Sequence, residues 1–197
     1  MTSSLVRPVL VSAVLFMAVT GLGYPLASTA LAKAFFPRQA SGSLVTHGGA
    51  TIGSTVIGQD FHRPDYFHPR PSITGNTSYD AASSGASNLG PTSRKLLDSL
   101  HDRANAYRKE NGLTADAPVP VDAVTASASG LDPDITLANA HAQAARVAGQ
   151  RHLPLPRVVA LIDAQATGRQ LGLLGEPRVN VLALNLALDA TASGGTP

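Results

Sequence analysis

The stretch VLVSAVLFMAVTGLGYPLASTALA, from Val9 to Ala32, holds no charged residue and is bounded by Arg7 before it and Lys33 after it. At about 1.5 Å of rise per residue, a helix of this length crosses a hydrocarbon core of about 30 Å. Gly21, Gly23 and Pro25 would weaken a helix in water, but such residues are more frequent in membrane helices. Gly21 and Gly23, with Ala18 and Ser28, also offer a face for close packing on other helices. A cleaved signal peptide is the competing reading, because Arg7 supplies a positive start and Ala30-Leu31-Ala32 has the small-x-small form of a cleavage site. The apolar run is about twice the usual signal core of roughly 7–15 residues, which favours a retained anchor. Arg7 stands on one side of the span and Lys33 and Arg38 on the other, so charge bias alone does not orient it. The short leader and the long following domain favour a cytoplasmic N-terminus and an extracytoplasmic C-terminal domain.

Outward from the span, the 197 residues leave room for one further domain. Residues 1–8 form a short tail, 9–32 the span, 33–50 a juxtamembrane linker with Pro37, Gly42, Gly48 and Gly49, and 51–197 the domain. Charged residues make up 14% of the chain and hydrophobic ones 44%, which excludes charge-driven disorder. A net charge of +2 without any Lys/Arg cluster gives nothing that tracks a phosphate backbone, so nucleic acid is not an expected partner. The absence of Cys removes disulfide scaffolds, thiolate metal sites and Cys nucleophiles together.

Within the domain, Ile52, Val56 and Ile57 predict a short strand over 51–59. Asp60 to Ser78 contains Pro64, Pro69, Pro71 and Gly75 among Phe61, Tyr66 and Phe67, with Tyr79 just beyond. That pattern predicts an ordered loop whose aromatic rings sink into the core. Pro91 to Gly112 predicts a helix capped by Thr92 or Ser93, with Leu96, Leu97, Leu100, Ala104 and Tyr107 at helical spacing. His101, Asp102 and Arg103 read as its solvated face. Val119 to Ala126 predicts a buried strand, and Ser127 to Pro133 a turn. Thr136 is placed to cap a helix to Gly149 with Ala140, Ala144 and Val147 inward. A further helix starts at Pro156, with Val158, Val159, Leu161 and Ile162 buried. From Val179 to Asp189, Leu182, Leu184, Leu186 and Leu188 alternate as in a strand, yet Asn180 is equally able to cap a helix, and periodicity leaves both open. The expected fold class is mixed α/β: one N-terminal transmembrane helix followed by a single extracytoplasmic α/β domain.

Chemistry is sparse. There is no Gly-x-x-x-x-Gly-Lys phosphate loop, no Asp-Lys-Thr-Gly phosphorylation signature and no Thr-Val-Gly-Tyr-Gly ion filter. Ser83-Ser84-Gly85-Ala86-Ser87 and Ser127-Ala128-Ser129-Gly130 resemble serine-hydrolase loops only loosely, since neither supplies Gly-x-Ser-x-Gly. Asp60, His62, Asp65 and His68 lie close in sequence but lack a recognised ligand spacing, with Pro64 between them. Asp132-Pro133-Asp134 lacks the remaining oxygens of a calcium loop. No catalytic or metal-binding residue is assigned. Beside an anchored accessory subunit, a serine hydrolase and a periplasmic binding module stay in view.

Four ordered motifs carry a resemblance: Tyr66-Phe67-His68-Pro69-Arg70-Pro71-Ser72; Ser83 to Thr92, reading SSGASNLGPT; Val119 to Ile135, reading VPVDAVTASASGLDPDI; and Leu174 to Leu182, reading LGEPRVNVL. Together with the single N-terminal span they resemble the C subunit of the bacterial Kdp-type potassium-transporting P-type ATPase. Ala86 and Ala128 stand where that family often has Gly, and Asp134 where it often has His. Ala164 to Arg169 is a loose form of a stretch that commonly reads His-Thr-Glu-Gly-Arg. The resemblance implies an inner-membrane subunit without catalytic residues. Its implied partners are a channel-like potassium-translocating subunit, a P-type ATPase subunit and a small membrane subunit. It also implies the role of a catalytic chaperone that raises the ATP affinity of the ATPase subunit, with K+ as the transported ion and ATP used by the complex. Interface and structural candidates are Arg70; Asn88, Gly90 and Pro91; Ser129, Gly130 and Asp132; and Glu176, Arg178 and Asn180.

Overall fold

The apolar run is helical from end to end in the computed structural model, which describes residues 3–75 and 77–193. It comprises α1 (Ser3–Ala18), one π-helical turn (Val19–Gly23) and α2 (Tyr24–Phe35). The part long and apolar enough to cross a membrane, Leu5–Phe35, reaches a mean hydropathy of 2.0 over 18 residues and contains the expected Val9–Ala32. Pro25 explains the π turn. It has no N–H to give, and its ring would crowd the carbonyl four residues earlier. The turn before it widens instead, with the Tyr24 N–H donating to the Val19 carbonyl. The hydroxyls of Ser12, Thr20 and Ser28 donate back to the carbonyls of Val9, Phe16 and Tyr24 at 3.0, 2.6 and 2.7 Å. These three hydroxyls are thereby satisfied within the helix.

The chain divides into two units, Met1–Ile52 and Gly53–Pro197. After the long helix come α3 (Pro37–Ala40), β1 (Leu44–His47) and β2 (Ala50–Ser54), the two strands pairing as a sheet. Gly48 and Gly49 between them have φ of 57° and 82°, the left-handed pair that a two-residue hairpin turn requires. The strand expected over 51–59 is therefore Ala50–Ser54, and its partner lies in the stretch expected to be linker.

In the second unit, β3 (Asp134–Thr136), β4 (Ala166–Thr167) and β5 (Arg178–Asn180) form an antiparallel sheet of order β3-β5-β4. Val179 is central, opposite both Ile135 and Ala166. Among the described residues five α-helices accompany the sheet: α4 (Arg94–Glu110), α5 (Val121–Val124), α6 (Leu137–Gln150), α7 (Leu155–Gln165) and α8 (Val181–Ser193). The core is drawn from Phe67, the sheet residues Ile135 and Val179, and the inward faces of α6, α7 and α8, including Ala144, Val147, Val158, Ile162, Leu184 and Leu188. This is the mixed α/β architecture the patterning predicts.

The predicted helix boundaries mostly hold. The Thr136 hydroxyl accepts from the Asn139 N–H at 3.2 Å and caps α6. Val158 and Ile162 of α7 are buried, while Val159 and Leu161 only pack beside the core. On α4, Tyr107 is buried but Leu97 is 53% exposed, and Ser93 sits at the N-cap position without a hydroxyl bond. The open question at 179–189 resolves to a strand followed by a helix. Asn180 Oδ1 accepts from the Ala183 N–H at 3.0 Å, and Leu184 and Leu188, one turn apart, share the buried face. One expectation is corrected: Val119 to Ala126 is no buried strand. Its centre is the short helix α5, with Val121 73% exposed. Pro120 cannot donate to a ladder, and the Thr125 hydroxyl closes the turn on the Val121 carbonyl at 2.7 Å.

Candidate functional site

The segment from Phe67 to Ser72 belongs to no helix or strand. Side-chain amides bond its backbone instead. Asn185 of α8 accepts from the Phe67 N–H at 2.9 Å and donates to the Phe67 carbonyl at 3.0 Å. Gln143 of α6 does the same for His68, at 2.7 and 3.0 Å. Both amides are 1% exposed, so each bond satisfies a buried group that water cannot reach. From Gln143 the network continues inward. Its Nε2 also donates to Asn139 Oδ1 at 2.9 Å, and Tyr107 donates to the same oxygen at 2.8 Å. Asn139 Nδ2 in turn donates to Asp122 at 3.0 Å. Asp122 also accepts from the N–H and hydroxyl of Thr136, at 2.8 and 2.9 Å. Burial, then the nearby Asp122 charge, pushes the Tyr107 hydroxyl well above its ordinary range. Asp122 thus ties α5 to the start of α6, which is why the short helix forms where a strand was expected.

The outer side of the same loop is held by charge. His68 Nδ1 lies 2.6 Å from Glu110 Oε1, and Arg146, its side chain only 5% exposed, donates to the Tyr66 carbonyl at 2.9 Å and to Gln143 at 2.7 Å. The hydrogen bond from His68 holds the Glu110 carboxyl below the usual carboxylate range, against the opposing pull of burial. A carboxyl with a lowered folded-state value contributes stability above its ordinary value and loses that contribution as pH falls through the folded value. Glu110→Gln is expected to flatten the acid limb of the stability profile below about pH 4.5. Because Glu110 is 39% exposed, the effect is less than about 1 kcal/mol after screening. Urea unfolding at pH 3 and pH 6 checks it: equal acid destabilisation of both proteins would contradict it.

The interface candidates fall into three groups. Arg70 pairs with Asp132 at 2.7 Å and reaches the Thr125 carbonyl at 3.3 Å. Arg178 pairs with Asp134 at 2.8 Å, and Asn180 donates to Asp134 at 3.0 Å and to the Thr55 carbonyl at 2.9 Å. The Asp132-Pro133-Asp134 turn is therefore gripped from both sides. Arg70, Asp132, Glu176 and Arg178 line one cavity of about 210 Å³, with Glu176 also paired to Arg169 at 2.6 Å. Ser129 and Gly130 belong to a second junction. The Ser129 carbonyl accepts from the Gly85 N–H and the Ser84 hydroxyl, both at 3.0 Å, and the Gly130 carbonyl from Ser72 at 2.7 Å. The motifs beginning at Tyr66, Ser83 and Val119 thus meet. Asn88, Gly90 and Pro91 are exposed and outside these junctions; Asn88 turns the chain with φ of 51°, and Ser93 bonds back to the Gly90 carbonyl at 3.0 Å.

The serines close turns: Ser129 Oγ accepts from the Leu131 N–H at 3.1 Å and Ser87 Oγ from the Leu89 N–H at 3.5 Å. Asp60 pairs with His62, Asp65 with Arg63, and His68 with Glu110. Among the described residues no three His, Asp or Glu groups converge as they would around a metal ion. Sequence reading missed Asp122, Asn139, Gln143 and Asn185 as organising residues. Asn139 and Gln143, four apart on the apolar face of α6, were a visible signal.

An apolar helix long enough to span a bilayer, followed by a mixed α/β domain, fits the class of single-span membrane-anchored proteins. The comparison with known proteins specifies which. The family described as "KdpC: K+-transporting ATPase, c chain" matches residues 6–190, and the chain belongs to that family. It is 56% identical over 191 residues to the potassium-transporting ATPase KdpC subunit of Variovorax paradoxus, covering 97% of this chain and 98% of the relative. The corresponding subunit of Acidobacterium capsulatum is 60% identical over 169 residues, covering 86% and 89%. That of Mycobacterium tuberculosis is 53% identical over 182 residues, covering 92% and 96%. The hydrolase and binding-module alternatives gain no support.

Proposed function

We propose that this chain is the non-catalytic accessory subunit of an ATP-driven potassium uptake complex. It assembles with a channel-like potassium-translocating subunit, a P-type ATPase subunit and a small membrane subunit. The observation that carries this reading is the extent of the family match, which runs from the apolar helix into α8. Residues 9–32 anchor the chain in the inner membrane, 1–8 lie in the cytoplasm, and 33–50 lead to an extracytoplasmic domain over 51–197. In this arrangement the domain and cytoplasmic ATP stand on opposite faces of the membrane. The chain then raises ATP affinity only by favouring nucleotide-competent states of the ATPase subunit, through helices packed against the span. Its domain braces the potassium entrance. The candidates act as surface formers: Arg70 and Arg178 position the Asp132–Asp134 turn, and the turns at Asn88–Pro91, Ser129–Asp132 and Glu176–Asn180 face neighbouring subunits. Purified complex lacking this chain is expected to show a KM for ATP raised about fivefold or more, restored on adding the chain back. An unchanged KM would exclude the chaperone role.

A further inference from the structure

The hairpin joining β4 to β5 presents Leu171, Leu173 and Leu174 at 91%, 80% and 60% exposure. Among the described residues of the same unit the other exposed large apolar side chains, Val56, Leu97, Val121 and Leu155, stand singly in the sequence, and single exposed apolar residues are ordinary. The leucine tip is a built structure. The Gln170 N–H donates to the Leu174 carbonyl at 2.8 Å, Leu174 returns the bond at 2.9 Å, and Gly172 donates to Arg169 at 3.1 Å. At its base Arg169 and Glu176 are joined at 2.6 Å. Leu171 holds φ of 53°, a conformation that glycine takes freely and leucine takes at a cost. Leu171 thus combines a strained backbone with a side chain left almost wholly exposed.

We propose that this leucine finger seats in an apolar pocket, uncharged at its mouth, on another protein subunit of the transporter; this rests on the assembly reading above. A lipid surface fits less well. From Ala166 to Asn180 there is no Trp or Tyr, the residues enriched at bilayer interfaces, and no Lys beside the leucines to meet the headgroups. Both arginines of that stretch are paired, Arg169 with Glu176 and Arg178 with Asp134, so they offer little to anionic headgroups. The same neutral base matches a pocket whose rim carries no net charge.

The test uses the whole complex in its membrane, with a benzophenone amino acid replacing Leu173, or replacing Leu26 of α2 as a report on assembly. Light-induced crosslinking of position 173 to another subunit is the expected result. A crosslink from position 26 to a partner, with position 173 reaching only lipid, a second copy of this chain or nothing, overturns the finger and leaves the assembly reading standing. No crosslink to a partner from either position overturns both. As a second readout, combining Leu171→Ser, Leu173→Ser and Leu174→Ser is expected to lower the amount of chain retained with its partners about tenfold at equal membrane abundance. Undiminished retention overturns the proposal.

Discussion

Replacing Asn185 by leucine is expected to destabilise the domain by about 4 kcal/mol, because it strips both partners from the Phe67 peptide group at once. Asn185 and Phe67 are 1% and 0% exposed, so no water stands in for the lost donor and acceptor. Leucine keeps the branching of asparagine but is the larger side chain, so overpacking at this buried position adds to the loss. The bonds span 118 residues of sequence, and their loss frees the segment that Gln143 and Arg146 also hold. Urea unfolding of the full-length chain in detergent micelles, followed by the fluorescence of Tyr66, Tyr79 and Tyr107, measures this directly. A loss within about 1 kcal/mol would mean that the amide merely accompanies a loop fixed by other contacts.

Gly130→Ala is expected to cost about 3 kcal/mol, from two separable sources. Gly130 has φ of 69°, which an alanine adopts at a cost of about 1–2 kcal/mol. A β-carbon there would lie 2.4 Å from Thr74 Cγ2 and 3.1 Å from the Gly85 carbonyl, and Thr74 is only 2% exposed and has no room to move aside. Thr74→Ser deletes the obstructing methyl while keeping the hydroxyl that accepts from the Asp80 N–H at 2.8 Å. Combined with Gly130→Ala, it is expected to recover the clash and leave the backbone strain. Simple additivity of the two substitutions would show that the Thr74 methyl does not obstruct a β-carbon at position 130.

The parts of the fold legible in the sequence are those whose cause is local. The uncharged run from Val9 to Ala32, the Thr136 cap and the spacing of Val158 and Ile162 each carry their own reason. Leu182 to Leu188 was ambiguous because Leu184 and Leu188 satisfy a period of two and a helical turn equally. The bond from Ala183 to Asn180 separates the readings. Val119 to Ala126 misled because β-branched residues suit a strand until Asp122 is drawn to Thr136 and Asn139. The loop from Asp60 to Ser78 has no period at all. Its partners Gln143 and Asn185 lie 75 and 118 residues from the groups they bind, a separation no local pattern reports. Of the candidate residues, Arg70, Asp132 and Arg178 stand in three different motifs of the sequence, and the pairing of Arg70 with Asp132 and of Arg178 with Asp134 follows only from the three-dimensional meeting of their turns.

The proposed chaperone role requires the domain to lie across the membrane from ATP. Because the chain has no Cys, single cysteines report sidedness without a background. Ser3→Cys and Ala115→Cys, the latter on an exposed loop of the domain, are labelled in intact cells with a membrane-impermeant maleimide. The account predicts labelling at position 115 in intact cells and at position 3 only after the membrane is opened. Labelling at position 3 alone in intact cells would place the domain beside the nucleotide and contradict coupling through the span.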